Sequence, residues 1–100
     1  MRSEKIEGDL RVDHQLEFNG MVTGKILVVE GGELDFHGIC NGDLILEHKS
    51  KVILHGLVNG NEFNRAGELH ILGTVNGSVN TDKDKTIIDK NAVIASNKLT

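Results

Sequence analysis

The chain repeats itself with a period of 18, and few folds satisfy such a repeat. LDFHGICNGDL, from Leu34 to Leu44, is preceded one period earlier by LEFNGMVTGKI (16–26). It is followed one period later by VILHGLVNGNE (52–62), and a fourth copy, LHILGTVNGSV (69–79), arrives one position early. Glycines mark the period in two series: Gly20, Gly38, Gly56 and Gly73, and Gly24, Gly42, Gly60 and Gly77. A repeat of this length signals one supersecondary unit stacked on its neighbours.

Within each 18 runs a period of six. Apolar residues recur at Leu16, Val22, Val28, Leu34, Cys40, Leu46, Val52 and Val58. A one-residue deletion just after Gly60 continues the series at Phe63, Leu69, Val75, Thr81, Ile87 and Val93, placing Phe63 inward and moving Glu62 out of the slot that Ile26 and Leu44 occupy. Alternation such as Leu16-x-Phe18, Ile26-x-Val28 and Leu44-x-Leu46 describes strands too short to be helices. Three such strands close a coil of 18, and stacked coils place equivalent residues about 4.8 Å apart. The pattern predicts an all-β fold, a single-stranded parallel β-helix of about five coils. It is one domain over 1–100, with an irregular first coil at 1–15, regular coils over 16–80, and a last coil and end at 81–100. Gly8-Asp9-Leu10-Arg11-Val12 matches Gly24-Lys25-Ile26-Leu27-Val28, with the following link two residues shorter. At the far end Thr86-Ile87-Ile88 and Ala92-Val93-Ile94 form the last wall, and residues 81–85 (TDKDK) a solvated corner.

Composition fits thin aliphatic layers, with three Phe, no Trp or Tyr, 12 Gly and no Pro among 100 residues. A net charge of −4 disfavours nucleic acid, which requires a basic surface. No apolar run approaches the ~18–20 residues of a membrane-spanning helix, the start MRSEKIEG lacks a signal-peptide core, and Cys40 has no partner. A cytoplasmic protein is expected.

Each polar column has a structural and a chemical reading. Thr23, Asn41, Asn59 and Asn76 precede corner glycines, where stacked amides can hydrogen-bond from coil to coil and asparagine tolerates a left-handed backbone. His37 and His55 stack on one wall, with His70 in the adjacent column beside Asp35 and Ile53. Two histidines at strand spacing with Asp35 as a third donor form a potential metal set, but Asn19 and Leu72 continue the histidine column and no ligand shell repeats. The column is therefore read as outward polar side chains. Cys40 lies in the inward series without a basic neighbour and reads as core. Ser3, Ser50, Ser78 and Ser96 lack a nucleophile elbow. Glu30, Glu33, Asp35 and Asp43 occupy corners and outward positions, without the nine-residue calcium-binding repeat. No catalytic, cofactor-binding or metal-binding residue is assigned, and no cofactor is expected.

Solenoid ends expose unpaired strand edges, which pair with other chains unless capped. Neither terminus carries an amphipathic capping helix. Arg2, Glu4, Lys5, Lys83, Asp84, Lys85 and Lys98 supply charge near the ends. Self-association through terminal coils is the function this points to, with the chain itself as partner and no small-molecule substrate evident.

Gly-Asp-Leu at 8–10 and 42–44, with Gly-x-Val/Cys-x-Gly at intervals of 18, resembles the bactofilins, polymer-forming bacterial cytoskeletal proteins. The resemblance spans roughly residues 6–95. It implies a right-handed, triangular β-helix joined end to end into nucleotide-independent filaments. Two other readings compete. A small dimeric solenoid scaffold or partner-binding protein is compatible with charged ends. A left-handed hexapeptide-repeat acyltransferase needs a small residue two before each aliphatic position, which Gly20, Gly38 and Gly56 satisfy but Ile26, Leu44 and Val79 do not; it also needs a looped-out catalytic segment, and no coil has room for one. An ice-binding wall is excluded because Thr23, Thr74, Thr81, Thr86 and Thr100 share no column.

Overall fold

A computed structural model describes residues 5–81 and 85–94. The chain is a β-solenoid of about five coils. Coil one contains β1 (Lys5–Ile6), β2 (Leu10–Val12) and β3 (Gln15–Phe18). Coil two contains β4 (Met21–Val22), β5 (Ile26–Val28) and β6 (Glu33–Phe36), and coil three β7 (Ile39–Cys40), β8 (Leu44–Leu46) and β9 (Lys51–Leu54). Coil four contains β10 (Leu57–Val58), β11 (Glu62–Asn64) and β12 (Glu68–Ile71). Coil five contains β13 (Thr74–Val75), β14 (Val79–Thr81) and β15 (Lys85–Ile88), after which β16 (Val93–Ile94) begins another turn.

Equivalent strands pair in parallel to give three sheets: β1-β4-β7-β10-β13-β16, β2-β5-β8-β11-β14 and β3-β6-β9-β12-β15. They are called the first, second and third walls below. Among the described residues there is no helix, and hence none long and apolar enough to cross a membrane.

Each complete coil places five side chains inside, one from the first wall and two from each of the others. In coil two these are Val22, Ile26, Val28, Leu34 and Phe36, and in coil three Cys40, Leu44, Leu46, Val52 and Leu54, all at most 2% exposed. Burying such a side chain stabilises by about 1.5–3 kcal/mol. Phe18 and Phe36 stack with centroids 5.8 Å apart, thickening the core beside the third wall. The small remaining volume explains why so few aromatics suffice.

The corner between the first and second walls keeps constant length. Its glycines are joined by backbone hydrogen bonds: Gly24 N to Gly8 O (2.8 Å), Gly42 N to Gly24 O (3.0 Å), Gly60 N to Gly42 O (3.2 Å) and Gly77 N to Gly60 O (3.0 Å). The residues after Gly8, Gly42 and Gly60 extend the link. Asp9 Oδ1 accepts from Lys25 N (3.0 Å), Asp43 Oδ1 from Asn61 N and Asn61 Oδ1 from Ser78 N (both 2.9 Å). This gives the Gly-Asp/Asn pairs their physical role: a short acceptor satisfies the next coil's corner N–H. The other glycine series is required by close approach. A methyl group on Gly38 would collide with the Gly20 carbonyl oxygen, and one on Gly56 with that of Gly38.

That corner also corrects the expected register of coil four. With Asn61 held over Asp43, Glu62 pairs with Leu44, Phe63 with Ile45 and Asn64 with Leu46. Phe63 therefore faces outward and Glu62 and Asn64 point into the core, the reverse of the sequence expectation. The missing residue lies later, in the Arg65–Gly67 corner, where Ala66 adopts φ 68°. The equivalent corner is shortened by two after β2, as expected, so that Leu10 pairs with Ile26 while Leu16 pairs with Leu34.

The last coil is corrected as well. His70 pairs with Ile87 and Ile71 with Ile88, so Ile87 faces out at 56% exposure and Ile88 packs against the core. Thr74 pairs with Val93 and Val75 with Ile94, leaving Val93 54% exposed and Ile94 inward. Most of the corner expected at 81–85, namely 82–84, lies outside the described residues. So do the charges at Arg2, Glu4, Lys83, Asp84 and Lys98.

The two inward polar residues of coil four fare differently. Asn64 Oδ1 accepts from Gly67 N and its Nδ2 donates to Thr86 Oγ1, both at 2.8 Å. Glu62 is fully buried, and neither carboxyl oxygen has a hydrogen-bond partner among the described residues. Desolvation pushes its pKa from 4.5 up to about 8.

Packing and register each generate a prediction. Gly38→Ala should lower stability by about 1–3 kcal/mol, because backbone must move to admit the methyl group; the urea midpoint measures this, and an unchanged midpoint would refute the close-approach argument. For Glu62, the folded carboxyl holds its proton between about 4.5 and 8, whereas the unfolded chain releases it. Stability should therefore fall as pH rises through that window, by up to about 1.4 kcal/mol per unit, and level off above it. Glu62→Leu should remove this slope and raise the urea midpoint at pH 8 more than at pH 5.

Candidate functional site

Two regions carry groups beyond what the core and corners require: the solenoid ends and a histidine patch at the edge of the third wall. At the ends, part of the core is incompletely covered, although Val12, Phe18 and Val79 are buried. Leu16 is only partly buried, whereas Leu34, Val52 and Leu69 of the same column are at most 2% exposed. Ile6 and Leu10 are likewise partly buried, beneath fully buried Val22 and Ile26. At the other end Ile88 and Ile94 are partly buried above fully buried Ile71 and Val75. Among the described residues, strands β1, β2 and β3 terminate the three walls at one end and β15, β14 and β16 at the other, so each end is bounded by parallel edge strands.

The histidine patch arises where β6 and β9 run into their corner glycines. Asp35 lies on β6, while His37 and His55 follow the ends of β6 and β9. Stacking of the coils superposes the imidazoles, with ring centroids 4.4 Å apart and planes within 3°. Asp35 Oδ1 lies 3.1 Å from His37 Nε2 and 3.6 Å from His55 Nε2, and His37 Nε2 lies 4.0 Å from Glu17 Oε2. The donor atoms of Asp35, His37 and His55 all fall within 4.8 Å of one another. His70 occupies the column of Asp35 and Ile53, as expected, but its Nε2 pairs with Glu68 Oε2 at 3.0 Å.

Other candidates resolve into structural roles. Cys40 is buried, its thiol pushed up to about 11 mainly by desolvation, and its Sγ donates weakly to the Gly24 and Gly42 carbonyls at 3.5 Å. Such a thiol is a poor nucleophile. Ser50 is buried and donates to the Glu47 carbonyl at 2.5 Å, and Ser78 Oγ donates to Asn61 Oδ1. Ser3 and Ser96 lie outside the described residues. The asparagine column forms the coil-to-coil chain expected of it, with Asn59 Nδ2 donating to Asn41 Oδ1 at 2.8 Å and Asn76 Nδ2 to Asn59 Oδ1 at 2.7 Å. Its backbone is not left-handed: among the described non-glycine residues, positive φ occurs at Lys49 and Ala66. The amide chain alone therefore accounts for asparagine there.

The buried pair Glu62 and Asn64 was missed by sequence reasoning based on apolar period. The signal lay in Asn61, which follows Gly60 as Asp43 follows Gly42 and holds the register across the two coils.

No protein-family model matches the chain, and no curated protein or solved structure does either.

The asparagine chain is testable at its centre. Asn59→Ala removes two side-chain hydrogen bonds at an exposed corner and should lower stability by about 1 kcal/mol while leaving the far-UV spectrum unchanged. No loss in the urea midpoint would mean the chain contributes nothing to stacking.

Proposed function

We propose that the protein is a non-enzymatic structural solenoid that assembles with copies of itself end to end through its terminal coils, in the manner of the bactofilins. The observation that carries this is the partial burial of Ile6, Leu10 and Leu16 at one end and of Ile88 and Ile94 at the other, in columns that are sealed in the middle coils. Stacking another coil on either end completes these columns and supplies partners for the edge N–H and C=O groups. On this reading the solenoid is right-handed and triangular, as the resemblance implies.

The parallel sheets favour a direction of assembly. When the first coil of one copy follows the last coil of another, all three ladders continue as parallel pairs. When two like ends meet about a two-fold axis, the edge strands meet antiparallel. Head-to-tail contact is heterologous and does not close on itself, so it yields a filament. A compact dimer is the product if like ends meet.

Light scattering across a wide concentration range tests this reading, with electron microscopy to separate filaments from dimers. The wild type should exceed the 10.9 kDa monomer mass. Ile94→Lys should return it toward monomer with its β-sheet spectrum retained, whereas Ile39→Lys, an outward substitution on the first wall, should not. A strictly monomeric wild type overturns the proposal, as does assembly lost only in the wall variant.

A further inference from the structure

The geometry points to a transition-metal site formed by Asp35, His37 and His55, in which a divalent ion such as Zn²⁺ bridges coils two and three. Three observations converge on it. First, the carboxylate oxygen has the right spacing to both imidazoles. In a tetrahedral zinc site with bonds of about 2.0–2.1 Å, neighbouring ligand atoms lie roughly 3.3 Å apart. The Asp35 oxygen lies 3.1 and 3.6 Å from the two imidazole nitrogens, and all three atoms fall within 4.8 Å of one another.

Second, Asp35 Oδ1 is itself shielded from solvent and makes no hydrogen bond among the described residues, despite the two ring nitrogens beside it. A buried carboxylate oxygen without a donor is unfavourable, and a coordinated cation satisfies it. Third, both histidines present Nε2 to the same oxygen from parallel rings. Because the rings are stacked in parallel, an ion in the plane of one does not lie in the plane of the other, so binding requires rotation of at least one imidazole to aim both Nε2 lone pairs at the ion. An imidazole and carboxylate donor set suits Zn²⁺, Ni²⁺ and Cu²⁺ better than Ca²⁺ or Mg²⁺, which take oxygen ligands. Glu17, with Oε2 4.0 Å from His37 Nε2, stands nearest to provide a fourth ligand.

The remaining histidines do not form an equivalent set. His14 pairs with Asp13 at 3.0 Å, His48 lies 3.6 Å from Glu30 and His70 pairs with Glu68. Among the described residues only the Asp35 cluster brings three potential ligands together.

Asp35, His37 and His55 lie on coils two and three, and the test reads metal binding and melting rather than the assembly state. Titration calorimetry of the full chain with ZnCl₂ should give one ion per chain, and Zn²⁺ should raise the melting temperature by several degrees, reversibly with EDTA. His37→Gln with His55→Gln should abolish both effects, Asp35→Asn should weaken binding at least tenfold, and His70→Gln should leave both unchanged. These positions are partly exposed, and the far-UV spectrum of each variant checks that it folds. Failure of Zn²⁺, Ni²⁺ and Cu²⁺ to bind, or binding that survives the double histidine substitution, overturns the assignment.

Discussion

Close backbone approach at the corners is the constraint on which the rest of the molecule depends. Successive coils lie so near one another at Gly20, Gly38, Gly56 and Gly73 that no side chain fits between them. At the neighbouring corner, glycine amides and carbonyls form a continuous hydrogen-bonded chain from Gly8 to Gly77. Once the corners are superposed, the strands between them must pair in parallel, and every side chain is assigned to a column. Core layers, asparagine chain and histidine stack are consequences of that superposition.

Coil four shows how strongly the corner dictates. Apolar periodicity alone would turn Phe63 inward, yet the molecule buries Glu62 and Asn64 and leaves Phe63 facing out. Asn64 recovers its lost hydration through two side-chain hydrogen bonds. Glu62 has no such compensation among the described residues, and it stays neutral over a wide pH range because burial disfavours its charge. Slipping the strand by one residue would expose Glu62 but break the Asp43–Asn61–Ser78 corner links and the ladders on either side. A penalty at one side chain is tolerated because the alternative disrupts three coils.

The same stacking separates the outer walls from the ends. Middle coils seal their own layers, so whatever their side chains do, they do on the outer wall, as at Asp35, His37 and His55. Among the described residues the terminal coils have a paired neighbour on one side, and Ile6, Leu10, Leu16, Ile88 and Ile94 are partly buried there while Val12, Phe18 and Val79 are sealed. An ion bridging coils two and three would stiffen the stack without occupying either end. The histidine patch thus lies on an outer wall, whereas the partly buried apolar residues lie in the terminal coils.

The repeat by itself determined much of this protein: the all-β class, the coil length, the approximate number of coils, the shortened first coil and the amide chain through Asn41, Asn59 and Asn76. These follow from spacings, because side chains recurring once per coil must superpose when the coils stack. It also brought His37 and His55 together and put Asp35 in a neighbouring column. What only the tertiary structure decided is where each coil gains or loses a residue. A strand alternates in and out with period two, so placing the deletion after Gly60 rather than at Arg65–Gly67 inverted Glu62, Phe63 and Asn64, and Ile87 and Val93 face out because Ile88 and Ile94, one position later, take the inward places. Hydrogen bonds at the Asp43–Asn61 corner hold the choice, and an apolar count does not register them. The orientation of Asp35 toward both imidazoles, and the incomplete burial of the terminal layers, likewise depend on packing between coils rather than on the order of residues within one.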